Sequence, residues 1–79
     1  MIEADPVWRN LRPEWVSGRE LRDRLNAGRW WWRRWSGPAF YAHMDRLVRE
    51  GWAELMTRTV LVEGEPIQRT YFRAAPWDE

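Results

Sequence analysis

The chain has 79 residues, enough for one small domain (1–79), and its formal net charge is only +1. It has no cysteine and a single histidine, which excludes disulfides, thiolate metal sites and histidine-rich metal sites. No apolar run approaches the roughly 18–20 residues that a membrane-spanning helix needs, and the acidic start is unlike a secretory signal. These features predict a soluble, cytoplasmic protein without a metal, a cofactor or a membrane as partner.

Basic charge is concentrated in the middle of the chain. All 13 basic residues are arginine, and residues 29–49 hold five of them against Asp45 alone, a net charge of +4. A GC-rich genome would account for the absence of lysine, but not for this clustering. A nearly neutral chain with a basic middle indicates an anionic partner that meets one surface, and the planar guanidinium suits phosphate and guanine.

Residues 1–16 are predicted to form a short N-terminal helix or arm. The pair Asp5–Pro6 is typical of an N-cap followed by a proline at the first helical position. Because Pro13 cannot lie inside a helix, any helix here has about two turns at most.

The segment 17–50 contains two predicted helices. Ser17 and Glu20 fit a capping box in front of the first helix, at 18–27. Leucines at helical spacing follow this cap and face the predicted core.

The second helix is predicted at 38–50, with Ser36 or Gly37 as its cap and Gly51 as its end. Its apolar residues recur at spacings of three and four, which is typical of a helix that packs on a core. The predicted core residues are Leu21, Leu25, Phe40, Met44, Leu47 and Phe72.

The C-terminal segment, 52–75, predicts a β-hairpin. Runs rich in β-branched residues at 54–62 and 67–74 flank a turn at 63–66. A lone hairpin is marginally stable in water, so we expect it to pack against the second helix. The last residues, 76–79, are predicted to be a frayed tail.

This order predicts an α+β domain of the winged helix-turn-helix kind, with helices packed against a C-terminal β-hairpin wing. Segment 36–51 resembles the recognition helix of PadR-type winged-helix regulators, and the matching residues are Tyr41, Met44, Leu47, Glu50 and Gly51. The segment 69–74 is similar to the second wing strand of that family, and 17–25 to its preceding helix. The chain departs from the family in its short first helix and in ending without a long C-terminal helix, so the family's dimer is not carried over.

The resemblance implies sequence-specific binding of double-stranded DNA by a transcriptional regulator, with helix 38–50 in the major groove. The implied contacts are Arg33 and Arg34 at phosphates, Ser36, Ala39, His43 and Arg46 at bases, and Arg58 and Arg69 in the wing. Simpler explanations stay open for these residues. Arg46 has Glu50 four residues later on the same face, and we expect His43 to be an ordinary exposed helix residue.

No arrangement in the sequence indicates an enzyme. Ser17 and Ser36, the only serines, stand at helix starts, where capping explains them. A single histidine without a positioned nucleophile makes no catalytic site, so we predict no catalytic residue.

Eight tryptophans are the least usual feature, and four lie in 30–35. We expect Trp32 and Trp35 to dock on the helices that they join, or the start of the segment to pair as a short strand beside the wing. Trp30 and Trp31 are then predicted at the surface. An exposed aromatic patch usually marks a protein interface, and base stacking or membrane contact are further possibilities. The alternative function is therefore a winged-helix protein–protein interaction module, a subunit or inhibitor of a larger assembly, or a homodimer.

Overall fold

The computed structural model describes residues 2–75, apart from the side chain of Trp31. The predicted tail at 76–79 and the predicted exposure of the Trp31 side chain therefore lie outside the described residues. Three helices and three strands follow one another as α1 (Pro6–Arg9), β1 (Val16–Ser17), α2 (Gly18–Asn26), α3 (Gly37–Arg49), β2 (Ala53–Val62) and β3 (Glu65–Ala74). The predicted α+β class is confirmed. Within this part of the chain, no helix is long and apolar enough to cross a membrane.

All three helices begin at the predicted caps. Asp5, Ser17 and Ser36 each accept hydrogen bonds from backbone N–H groups in the first turns of α1, α2 and α3. Helix α1 is a single turn that ends at Arg9, because the chain then turns to bring Leu11 into the core.

Helix α3 ends where the sequence predicts, at a glycine in the left-handed conformation. Gly51 has φ of 86°. The N–H of Gly51 donates to the carbonyl of Val48 at 3.1 Å, and that of Trp52 donates to Leu47 at 2.9 Å. This Schellman motif satisfies the last carbonyls of the helix and turns the chain into β2.

The three strands form an antiparallel sheet in the order β1-β3-β2. Strand β1 pairs Val16 with Phe72 and Ser17 with Tyr71, and it was not predicted. Two residues are too few to show an alternating pattern, so only the pairing with β3 defines this strand.

The hairpin turn is tighter than the predicted four residues. Only Glu63 and Gly64 connect the strands, with φ of 51° and 81°, which is the type I′ geometry that matches the strand twist. Strand β3 therefore begins at Glu65 and includes Pro66, opposite Leu61. In such a hairpin this pair is a non-hydrogen-bonded one, so the missing N–H of the proline interrupts no bond to β2.

All six predicted core residues are at most 5% exposed. The N-terminal segment supplies three further core residues, and β2 supplies one: Val7, Leu11, Val16 and Ala53. The N-terminal helix therefore covers one side of the core rather than forming a free arm.

Candidate nucleic-acid interface

The outermost face of α3 differs from the predicted DNA-reading face. Because the core residues of α3 point inward, the opposite side exposes Ala42, Asp45 and Arg49. Asp45 and Arg49 form an ion pair at 3.3 Å, with both side chains more than half exposed. An exposed pair of this kind contributes little stability, so either partner can exchange it for another contact at small cost.

The predicted base contacts on α3 lie along a flank of the helix. Ser36 uses its hydroxyl to cap α3, and Ala39 is exposed. The guanidinium of Arg46 lies 3.9 Å from the carboxylates of both Asp5 and Glu50, so the pairing with Glu50 is confirmed. Two acidic groups thus compensate the charge of Arg46.

The prediction of an exposed His43 was wrong. Its side chain is 16% exposed, and its Nε2 lies 2.7 Å from Oδ2 of Asp5. The ring of Trp35 meets the imidazole edge-on at a centroid distance of 5.3 Å. The sequence did not reveal that the N-terminal segment packs on this flank of α3, and the ring is therefore occupied within the domain.

Asp5 joins two roles in this contact. Burial raises the pKa of its carboxyl, but hydrogen bonds from the Trp8 N–H and the His43 ring, together with the charge of His43, outweigh burial and lower the pKa below its ordinary value. One carboxylate therefore caps α1 and ties it to α3.

Five arginines border the N-terminal end of α3 and continue onto the hairpin. We call Arg19, Arg22, Arg34, Arg58 and Arg69 the arginine belt. Among residues 2–75, none of these five forms an ion pair, whereas Arg24, Arg46, Arg49 and Arg73 all do. Positive charge is thus left uncompensated along one edge of the domain.

Neighbouring contacts make the belt continuous. Arg22 and Arg34 line one hollow, together with Asp23, and a guanidinium nitrogen of Arg22 lies 3.1 Å from where a β-carbon on Gly37 would be. Arg19 is one helical turn from Arg22. It lines a groove with Arg69 and with Tyr41 of α3.

Arg58 and Arg69 face each other directly across the hairpin. Like charges in this position destabilise a sheet unless a negative group lies between or beside them. Both side chains are exposed, so an anion could meet the two guanidinium groups together.

Sequence reasoning missed Arg19 and Arg22 because they lie in residues 1–28, where five arginines are balanced by five acidic residues. The helical period separates the charges of that segment. Glu20 and Arg24 pair at 3.2 Å on one side of α2, whereas Arg19 and Arg22 lie on the side that faces α3 and the groove. A helical-wheel projection of α2 would have found them.

The loop between α2 and α3 carries three exposed arginines, which are Arg34 of the belt and two more, Arg29 and Arg33. A guanidinium nitrogen of Arg29 donates to the carbonyl of Arg33 at 3.4 Å, and Nε of Arg34 donates to the carbonyl of Arg29 at 3.3 Å. All three side chains are exposed. The predicted phosphate contacts, Arg33 and Arg34, therefore do lie beside the start of α3.

The exposed and the partly buried tryptophans of this loop are not all those that the sequence predicted. Trp35 is partly buried, and its backbone makes two hydrogen bonds with the Asn26 side chain. Trp30 and Trp32 are 68% and 61% exposed and stack with ring centroids 5.5 Å apart and planes 8° apart. The docking of Trp32 on the helices was wrong, because a short 3-10 helix, Trp31–Arg33, turns it outward beside Trp30. The surface position of Trp30 is confirmed.

Comparisons of the chain with protein-family models, with curated proteins and with solved structures give no match. The described residues thus define a small α+β domain with a basic edge and an exposed aromatic pair.

Proposed function

We propose that this chain is a small winged-helix protein that binds double-stranded DNA through the arginine belt. The observation that carries the proposal is the run of uncompensated guanidinium groups from the loop before α3 to the hairpin. Phosphates supply most of the affinity in protein–DNA complexes, and arginine is well suited to bind them.

The topology supports the winged-helix part of the proposal. The element order is α1-β1-α2-α3-β2-β3, with sheet order β1-β3-β2. This order is the one expected of a winged helix, in which α3 would be the recognition helix and β2–β3 the wing. Together with the PadR-like pattern at 36–51, this supports a role in transcriptional regulation.

Each part of the surface then has a distinct task. Arg33 and Arg34 bind phosphates beside the start of α3, while Arg58 and Arg69 meet the adjacent backbone or minor groove. Ala39 and Ala42 are small enough to let α3 enter the major groove closely. Arg49 and Asp45, which face outward, replace His43 as candidates for reading guanine and cytosine edges.

Fluorescence anisotropy over a salt series, with duplexes of random and selected sequence, tests the proposal. We expect Arg34→Gln and Arg69→Gln each to weaken binding to all sequences alike and to lower the salt slope by about 1, because each removes one phosphate contact. Arg24→Gln is the matched control, since Arg24 pairs with Glu20 on the opposite side of α2. The control should leave binding unchanged.

Two results would contradict DNA binding through the belt. One is that wild-type protein shows no salt-dependent binding to DNA with a Kd below about 10⁻⁴ M, which is the weak end of ordinary non-specific binding. The other is an equal loss of affinity for Arg24→Gln and the belt variants, which would mean that only net charge matters.

A protein-interaction module is the second candidate function, and the exposed Trp30 and Trp32 favour it. In this case the protein would self-associate or capture a partner through these rings. Sedimentation of the wild type and of Trp30→Ser tests self-association: a wild-type dimer that becomes a folded monomer supports it, and a monomeric wild type removes it.

A further inference from the structure

The stacked pair Trp30 and Trp32, which we call the tryptophan stack, presents a flat aromatic surface to solvent. One face of Trp30 rests against Trp32, with the planes only 8° apart. Since Trp30 is nevertheless 68% exposed, most of its accessible area belongs to the opposite ring face and the ring edges. A further flat ring could continue the stack on that side.

The surroundings of the tryptophan stack are strongly basic. Residues 29–35 contain three arginines and no acidic residue. Arg29, Arg33 and Arg34 are exposed, and among residues 2–75 none of them forms an ion pair. An apolar partner would have to desolvate these charges without compensation, whereas a partner with both flat rings and negative groups satisfies the whole surface.

Nucleotides combine these two properties. A base offers a π-face to a tryptophan, and its phosphate offers oxygens to a guanidinium. Inside a duplex both faces of each base are covered by its neighbours, so Trp30 can stack only on an unpaired base or on the outer face of a terminal base pair.

The stack also lies next to the proposed duplex site. Arg34 belongs to the same loop as the tryptophan stack and lines the hollow with Arg22 beside the N-terminus of α3. A strand that leaves the duplex at this end of α3 would therefore reach the stack along a hollow in which two arginines outnumber one acidic residue, Asp23.

We propose that the tryptophan stack, with Arg29, Arg33 and Arg34, binds unpaired nucleotides that adjoin the duplex. The preferred substrate is then a duplex with a single-stranded extension, as at a junction, an end or a locally opened site. This inference rests on the proposed DNA-binding function and names the form of DNA that the same site takes.

The experiment compares three DNA molecules by fluorescence anisotropy at one salt concentration: a blunt duplex, the same duplex with a short thymine extension, and the same duplex with an abasic extension of equal length. We expect the thymine extension to raise affinity about tenfold over the blunt duplex, in the range of one stacked base. The abasic extension has the same phosphates and no bases, so it should lack most of this gain.

Two variants test whether the tryptophan stack causes the gain in affinity for the thymine extension. Trp30→Leu should remove the preference for the thymine extension and leave the affinity for the blunt duplex unchanged. Trp15→Leu is the matched control, because Trp15 is also at the surface but lies against Arg73 on the sheet, away from the loop. Circular dichroism confirms that both variants fold.

The outcomes separate the inference from the function on which it rests. Equal affinity for blunt and extended duplexes would overturn the inference and leave DNA binding intact, while failure to bind any duplex would overturn both. Two other results, each seen without a preference for the extension, would assign the stack to another partner and overturn the inference. One is a wild-type dimer that Trp30→Leu dissociates. The other is binding of the wild type to anionic vesicles that Trp30→Leu abolishes.

Discussion

At the scale of single residues, Gly18 shows how closely α2 approaches the rest of the domain. A β-carbon on Gly18 would lie 2.6 Å from the Tyr41 hydroxyl oxygen and 3.1 Å from the Phe72 ring. The missing side chain lets the start of α2 lie against α3 and β3. It also sets the position of Tyr41 in the groove with Arg19 and Arg69.

Gly18→Ala should therefore destabilise the domain by about 1–3 kcal/mol, although alanine has the higher helix propensity. Gly37→Ala is the control, because a β-carbon there would meet only the mobile end of the Arg22 side chain, at 3.1 Å. Urea denaturation of both variants measures the difference. Equal free energies of unfolding for the two variants would show that a β-carbon at position 18 is accommodated beside Tyr41 without loss of stability.

At the scale of elements, α3 connects the core to the candidate interface. Its inner side contributes Phe40, Met44 and Leu47, which are at most 1% exposed, and its outer side carries the Asp45–Arg49 pair. The residues of α3 that support the core are therefore different from those that it exposes to a candidate partner.

Leu47→Ala should lower the free energy of unfolding by about 2–5 kcal/mol, because it leaves a cavity in a fully packed site. This is a large part of the total stability of so small a domain. Arg49→Ala, two residues later and largely exposed, should change stability by less than about 1 kcal/mol. Denaturant titration checks both, and a loss below about 1 kcal/mol for Leu47→Ala would mean that Leu47 does not support the core.

At the scale of the whole molecule, the Asp5–His43 contact joins the N-terminal segment to α3. Asp5 faces His43 and Arg46, and Glu50 lies beyond Arg46. Because the pKa of Asp5 is lower in the folded chain than in the unfolded chain, its ionised form stabilises the fold above the unfolded pKa of about 3.9. That stabilisation is lost as the pH falls through the folded pKa.

Wild-type protein should consequently lose more stability than Asp5→Asn between about pH 5 and about pH 2. Asparagine can still cap α1, so the variant should fold at neutral pH. Asp45→Asn, on the exposed face of α3, is the control and should follow the wild type. Thermal denaturation over this pH range gives the comparison, and parallel curves for wild type and Asp5→Asn would contradict the stabilising role of the Asp5 carboxylate.

Local patterns in the sequence determined the helices and the hairpin of this protein and most of its core. Ser17, Ser36 and Gly51 act through hydrogen bonds to residues three positions away, so their roles can be predicted without a fold. The helical spacing that includes Leu47 likewise predicted a buried face, because a helix side is defined by its own period.

Only the tertiary structure decided which charged and aromatic groups are exposed. His43 is only partly exposed because Asp5, 38 residues away, packs against it, and β1 exists only because β3 lies beside it. Trp32 turns outward with the loop, and the arginine belt assembles from α2, the loop and the hairpin. Such features depend on which distant segments meet, and contacts between distant segments leave no periodic signal in the chain.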